Sequence, residues 1–113
     1  MGGDQHANGR TFRERLLSRL VIDPSGCLLW TGARSRGGYG NIGTNTGIFA
    51  VHRVMYELFV GPIPDGLEID HLCRVRHCAA PAHLEAVTRQ VNTLRGYQAL
   101  SWHERRARHA SNA

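Results

Sequence analysis

The sequence predicts a single α+β domain in which a metal-binding loop joins two strands and a helix follows directly. The chain has 113 residues, which is the size of one domain. The segment 70–84, "DHLCRVRHCAAPAHL", places two cysteines, three histidines and an aspartate between two strand-like stretches, "GLEID" and "HLEAV". Thr88 can then cap a short helix, "RQVNTLRG". Strand, loop, strand and helix therefore form the predicted centre of the protein.

The first part of the chain is predicted to form a helix and then short strands. "TFRERLLSRLV" begins a helix at Thr11, which can cap it together with a glutamate three residues later. Phe12, Leu16 and Leu20 make its apolar face, and "DPSG" at 23–26 ends it. "CLLWTG" follows as a strand, and "YGNIGT" and "GIFAV" form a hairpin through "NTG".

A middle helix is predicted over "AVHRVMYELFVG". Val51, Met55, Leu58 and Phe59 form its apolar stripe, and Gly61 ends it. Several other side chains are expected in the core: His52, Trp30, Tyr39 and Tyr56.

Charge and cysteine usage indicate the partner and the compartment. The net charge is +5, the sequence pI is about 9.9, and all fourteen basic side chains are arginine. Arginine forks match phosphate oxygens, so the excess predicts a nucleic-acid partner. No apolar run approaches the roughly 20 residues of a membrane span, and a soluble cytoplasmic protein is expected. Three cysteines with ligand-like spacing indicate a reducing compartment.

The cysteines and histidines predict a structural zinc site. Cys73 and Cys78 are spaced C-x4-C, and His83 follows after four more residues. Structural zinc takes four sulfur or nitrogen ligands. Cys27, the remaining cysteine, completes a Cys3His set by elimination, and His77 could replace His83. Such a zinc would hold a loop that has too few apolar groups to pack itself.

The residues around the loop also predict a hydrolytic site. His71, at the end of a strand, can take a proton from water near neutral pH. Asn92 on the last helix and Asp70 offer the oxygen ligands that a divalent cation prefers. Arg53 on the middle helix either clamps the scissile phosphate or pairs with Glu57. Candidate contacts to a DNA backbone are Arg34, Arg36, Arg74, Arg76 and Arg89.

The string "DHLC....C..P.HLE.VT...N..RG" resembles the HNH endonucleases of the His-Me finger superfamily, especially the small phage type. The flanking "GCLLWTG", "GYG", "HRVMYELFVGPIP" and "LEIDH" resemble the same family. The core is also similar to the His-Cys box homing endonucleases. The resemblance covers roughly residues 26–96.

The resemblance implies a fold and a set of roles. The fold is a His-Me finger (ββα-metal) core at about 67–96, within a single domain at 11–96 that lies between a leader at 1–10 and a basic tail at 97–113. The resemblance implies that His71 occupies the position of the general base. It implies that Asn92 is a ligand of the catalytic Mg²⁺ or Mn²⁺ and that Asp70 is a second ligand. The structural zinc ligands fall on Cys27, Cys73, Cys78 and His83.

One position departs from the family pattern. Ala80 stands where the family usually has an asparagine that braces the loop. The implied function is a divalent-metal-dependent HNH endonuclease that hydrolyses DNA in a bacterial host, with a phage or prophage origin. A homodimer is expected if it makes double-strand breaks. One alternative is an inactive zinc-stabilised DNA-binding module, and the alanine at position 80 supports it. The other is a hydrolase that acts at the zinc itself, which is disfavoured because a site with four protein ligands leaves zinc no open position.

Overall fold

A computed structural model describes residues 10–96 of the chain. The predicted basic tail, and the leader up to residue 9, lie outside the described residues. Within residues 10–96, no helix has the length and hydropathy needed to cross a membrane.

The first helix, α1 (Phe12–Ser18), begins with the predicted capping box. The Glu14 amide donates to Thr11 Oγ1 at 3.1 Å, and the Thr11 amide donates to Glu14 Oε1 at 2.9 Å. The helix is shorter than predicted, because Leu20–Ile22 form a strand, β1, that pairs antiparallel with β2 (Leu28–Trp30). The β-branched pair at 21–22 favours a strand over a continued helix. Leu20 still packs against the core, but from a strand.

A hairpin and a helix follow, as predicted. Strands β3 (Asn41–Thr44) and β4 (Gly47–Ala50) pair antiparallel, and β4 runs directly into α2 (Val51–Phe59). The predicted apolar stripe of α2 is correct for Val51 and Met55, which are each 1% exposed. It is wrong at the end of the helix, where Leu58 and Phe59 are 38% and 49% exposed.

The core lies between α1, α2 and the first strands. Its buried members are Leu16, Trp30, Ile42, Val51, Met55 and Ala79. The Trp30 ring packs directly on the backbone at Gly40, where a Cβ would come within 2.7 Å of the ring. The second glycine of the "GYG" stretch, Gly40, is therefore required for this close approach of the Trp30 ring to the backbone.

The strand–loop–strand–helix unit is present. Strand β5 (Leu67–His71) pairs antiparallel with β6 (Leu84–Thr88), and a 3-10 turn, Pro81–His83, leads into β6. A third helix, α3, covers 89–96. The Val91 amide donates to Thr88 Oγ1 at 3.1 Å, which confirms Thr88 as the cap.

The loop between β5 and β6 is held against β2. The Trp30 amide donates to the His77 carbonyl at 2.9 Å, and the Ala79 amide donates to the Leu28 carbonyl at 2.8 Å. Because Cys27 directly precedes β2, this pairing brings it to the loop, which is about fifty residues away in sequence.

Candidate active site and metal centre

Four side chains form one compact cluster of metal-binding atoms. Cys27, Cys73, Cys78 and His83 each offer one ligand atom, and these atoms all lie within 4.8 Å of one another. His83 Nδ1 is 3.7 Å from Cys27 Sγ and 3.5 Å from Cys78 Sγ. Zinc–sulfur and zinc–nitrogen bonds of about 2.3 and 2.1 Å would separate tetrahedral ligands by about 3.6 Å. The cluster could therefore hold a zinc ion, and His77 is not part of it.

Burial favours the protonated form of two thiols of the metal-free cluster, Cys73 and Cys78. It raises the pKa of Cys73 to about 12 and also raises the pKa of Cys78. Zinc binds thiolates, so loading the cluster must release protons. Zinc affinity should therefore increase with pH.

His71 lies at the end of β5 and is 6% exposed. Its Nε2 is 3.0 Å from the carbonyl oxygen of Cys78. A carbonyl only accepts, so Nε2 carries the proton and donates it. In the neutral ring the lone pair is then on Nδ1, which makes no hydrogen bond with the described residues and is not fully enclosed. Cys78 thus contributes its sulfur to the cluster and its carbonyl to the orientation of His71.

The pKa of His71 lies below its ordinary value of 6.5. Burial lowers this pKa, the Cys78 hydrogen bond and Asp70 raise it, and the positive charges of Arg74 and Arg76 lower it. A neutral imidazole at pH 7 is the form that a general base needs.

Two further rings, those of His52 and Tyr39, lie tilted against this imidazole. The His52 ring centroid is 4.7 Å from that of His71, and the Tyr39 ring is 5.3 Å from His52 and 5.7 Å from His71. The expectation of a satisfied core histidine at position 52 is wrong, because its Nδ1 is buried without a hydrogen-bond partner among the described residues. Burial is the main reason that the pKa of His52 falls to about 4. The spacing of Tyr39, His52 and His71 along the chain does not predict that their rings meet.

Asp70 is buried and paired. Its side chain is 1% exposed, and it binds Arg74 Nη1 at 2.8 Å and Arg95 Nη1 at 3.3 Å. Arg95 also contacts Glu85, which lies opposite Asp70 in the sheet. Arg74 reaches Asp70 from a left-handed backbone conformation, with φ of 63°. Arg95 is the arginine at the "N..RG" end of the family-like string, but the prediction from the sequence gave it no role at the site.

Asn92 lies on α3 and faces β5. Its Nδ2 donates to Glu68 Oε1 at 2.9 Å, and its Oδ1 makes no hydrogen bond within residues 10–96. Mg²⁺ and Mn²⁺ prefer oxygen ligands of the amide and carboxylate type. The carboxylate of Asp70 keeps acceptor capacity beside its two arginines, because each oxygen has two lone pairs. The donor set of Asn92 and Asp70 therefore fits a hard divalent cation.

The predicted phosphate-binding arginines occupy different settings. Arg76 donates to the Gly37 carbonyl at 2.9 Å, and its guanidinium lies 5.4 Å from the Tyr39 ring centroid. Arg76 is thus the exposed arginine whose charge reaches His71, whereas the charge of Arg53 acts on His52. Arg74 is held by Asp70. The others are exposed: Arg34, Arg36, Arg53 and Arg89.

Ala80 occupies the N-cap of the 3-10 turn and provides no side-chain hydrogen bond. The turn is nevertheless closed by the His83 amide, which donates to the Ala80 carbonyl at 2.9 Å. The metal cluster spans the same turn through Cys78 and His83. A zinc ion held by these side chains would therefore brace the loop.

The mixed helices and short antiparallel sheets, with a Cys3His cluster beside a strand-end histidine, are consistent with the HNH fold. The HNH endonuclease family model matches residues 49–94 of the chain. The match includes β5, the metal-binding loop, β6 and most of α3. The family prediction from the sequence is therefore confirmed.

Curated phage proteins are similar to the chain. Protein 2.8 of Escherichia phage T7 is 36% identical over 84 residues, which cover 73% of this chain and 57% of that protein. Protein 7.7 of the same phage is 34% identical over 67 residues, covering 59% of this chain and 52% of that protein. The Uncharacterized gene 5.3 protein of Enterobacteria phage T3 is 45% identical over 42 residues, covering 37% of this chain and 42% of that protein. The chain spans about half the length of these relatives. No solved structure gives a significant match.

Proposed function

We propose that this protein is a divalent-metal-dependent endonuclease that hydrolyses DNA phosphodiester bonds, with His71 as the general base. The observation that carries the proposal is the hydrogen bond from His71 Nε2 to the Cys78 carbonyl. It fixes the neutral tautomer and leaves Nδ1 to accept a proton from water. The lowered pKa of His71 supports this role.

Asn92 and Asp70 would hold the catalytic Mg²⁺ or Mn²⁺. When bound, this cation supplies positive charge to the scissile phosphate and to the leaving oxygen. Arg74 and Arg95 neutralise the negative charge of Asp70, which disfavours tight binding of the cation. Metal affinity should then depend strongly on Asn92.

The DNA backbone would be bound by exposed arginines around His71. The Arg76 guanidinium lies over the Tyr39 ring and is positioned by the Gly37 carbonyl. We assign it the scissile phosphate in preference to Arg53, because the charge of Arg76 acts on His71 itself. Arg34, Arg36 and Arg89 would contact neighbouring phosphates, which makes binding sensitive to salt.

The structural role of zinc would be to hold Cys73 and Cys78 on either side of the loop that carries the His71 acceptor. Zinc content of the purified chain should be one ion per molecule, and Cys78→Ser should lose it. The expected host setting is the bacterial cytoplasm, with a homodimer if both strands are cut.

The test is cleavage of supercoiled plasmid with Mg²⁺ or Mn²⁺ by three proteins: wild type, His71→Ala and His77→Ala. His77 belongs to the same loop but lies outside the metal cluster, so it is the matched control. Wild type and His77→Ala should nick or linearise the plasmid, and His71→Ala should be slower by about 10²–10⁴-fold. Equal cleavage by all three proteins would show that His71 is not the base.

A second candidate function is supported by Ala80, which leaves the 3-10 turn without a side-chain cap. The chain would then be a zinc-stabilised DNA-binding module without activity. This function predicts that wild type and His71→Ala retard DNA equally on a gel and that neither cleaves it.

A further inference from the structure

We propose that Glu68 is a positioning residue that sets the orientation of the Asn92 amide for the catalytic cation. The inference deepens the proposed function, because it rests on Asn92 as a metal ligand. Glu68 lies on β5, three residues before His71, and the prediction from the sequence gave it no role.

The geometry ties β5 to α3 at two points on one face of the strand. Glu68 and Asp70 are two residues apart on β5, so their side chains project to the same face. Glu68 accepts from Asn92 Nδ2 at 2.9 Å, and Asp70 accepts from Arg95 Nη1 at 3.3 Å. Asn92 and Arg95 are three residues apart, and therefore neighbours on the face of α3.

The chemistry of the pair determines which end of the amide faces Glu68. An ionised carboxylate only accepts hydrogen bonds, so the amide must present its NH2 group to it. The amide is planar, and Oδ1 therefore points away from Glu68. This oxygen is the atom that a hard cation would bind. Without Glu68, the amide can turn over and present NH2, which cannot bind a cation.

Glu68 also has a second, weaker partner on α3. Its Oε2 lies 3.9 Å from Arg89 Nε, whereas its Oε1 accepts from Asn92. Arg89 is 87% exposed, so this ion pair contributes little to stability. The Asn92 contact is the one that joins the strand to the helix.

The experiment measures Mn²⁺ binding to the full-length, zinc-loaded protein by titration calorimetry, without DNA. The variants are Glu68→Ala and Asn92→Ala, and the control is Glu57→Ala, an exposed acid on α2. We expect Glu68→Ala to weaken Mn²⁺ binding by about 10- to 100-fold, as loss of a partner that orients a metal ligand generally does. Glu57→Ala should bind Mn²⁺ as wild type does.

A second pair of variants, in which residue 92 is aspartate, distinguishes an effect of Glu68 on the orientation of the Asn92 amide from an effect of its negative charge. In Asn92→Asp, both side-chain oxygens are equivalent and no amide needs to be oriented. Adding Glu68→Ala to this background should not weaken Mn²⁺ binding further. An equal loss in both backgrounds would overturn the inference, because Glu68 would then act through its charge or as a ligand itself. If Glu68→Ala does not weaken Mn²⁺ binding when residue 92 is asparagine, the inference is overturned as well.

The same titration distinguishes failure of the inference from failure of the proposed function. If Asn92→Ala binds Mn²⁺ as tightly as wild type does, the assignment of Asn92 as a ligand fails, and the role of Glu68 fails with it. If Asn92→Ala loses binding but Glu68→Ala keeps it, only the inference about Glu68 fails. Zinc content and circular dichroism verify the fold, and Glu68→Met replaces the alanine variant if that variant does not fold.

Discussion

The buried imidazole of His52 should make the stability of this protein depend on pH. Burial is the largest cause that lowers its pKa from 6.5 to about 4, followed by the charge that His71 carries when it is protonated and the charge of Arg53. Between these two values the unfolded chain binds a proton at His52 and the folded chain does not. Stability therefore decreases as the pH falls through this window, and the contribution of His52 is fully favourable only above about pH 6.5.

The magnitude follows from the two pKa values. Their difference of about 2.5, at about 1.36 kcal/mol for each pH unit, corresponds to about 3 kcal/mol lost by pH 4. Between pH 7 and pH 5 the same linkage removes about 2 kcal/mol. Domains of this size are stable by about 5–15 kcal/mol, so the loss is measurable.

The assay is urea unfolding of wild type and His52→Gln at pH 7 and pH 5, followed by circular dichroism. Glutamine does not ionise, so the difference in free energy of unfolding should move by about 2 kcal/mol in favour of the variant at pH 5. Any weakening of zinc binding at low pH affects both proteins and cancels in the difference. A difference that is the same at both pH values would refute the reasoning.

Three further predictions follow from the site. Cleavage should lose rate only below pH 6.5, because the pKa of His71 is lowered from that value, and a pH–rate profile with an acid limb above pH 6.5 would contradict this. Cys78→Ser should lose zinc and cooperative thermal unfolding, since zinc binding is worth about 10–16 kcal/mol in small zinc domains; a variant with unchanged zinc content and melting temperature would show that the cluster is not a zinc site. Asp70→Asn should cost about 1–3 kcal/mol in urea unfolding, because it leaves Arg74 and Arg95 without their carboxylate. Asp65→Asn, an exposed acid, is its control, and an equal cost in both variants would contradict the role of the ion pairs.

Local patterns in the sequence were sufficient for most of the elements. Capping at Thr11 and Thr88, the hairpin loop at 45–46 and the strand–loop–strand order all depend on residues that are close in the chain. The pattern failed where local preferences compete. The apolar run through Leu20 continued the helical period, but the residues after it pair with β2 instead.

The metal cluster could also be predicted, because the residues available in the sequence supply the four ligands that structural zinc takes. Cys73, Cys78 and His83 lie close together in the sequence, and one further ligand was needed. Cys27 was the remaining cysteine, and the pairing of β2 with the loop places it beside the others. The choice between His77 and His83 needed the structure, since both are near Cys78 in the chain.

The sequence alone determined the family, the metal-binding residue types and the histidine at the end of β5. These properties depend on residue identity and on short spacings, which the chain displays directly. Only the tertiary structure decided the partners: His52 and Tyr39 against His71, Arg95 on Asp70, and Glu68 on Asn92. Each of these contacts joins segments separated by 19 or more residues, and no local periodicity encodes such a contact. The environment that sets the pKa of His71 and the orientation of Asn92 is therefore a property of the packed fold.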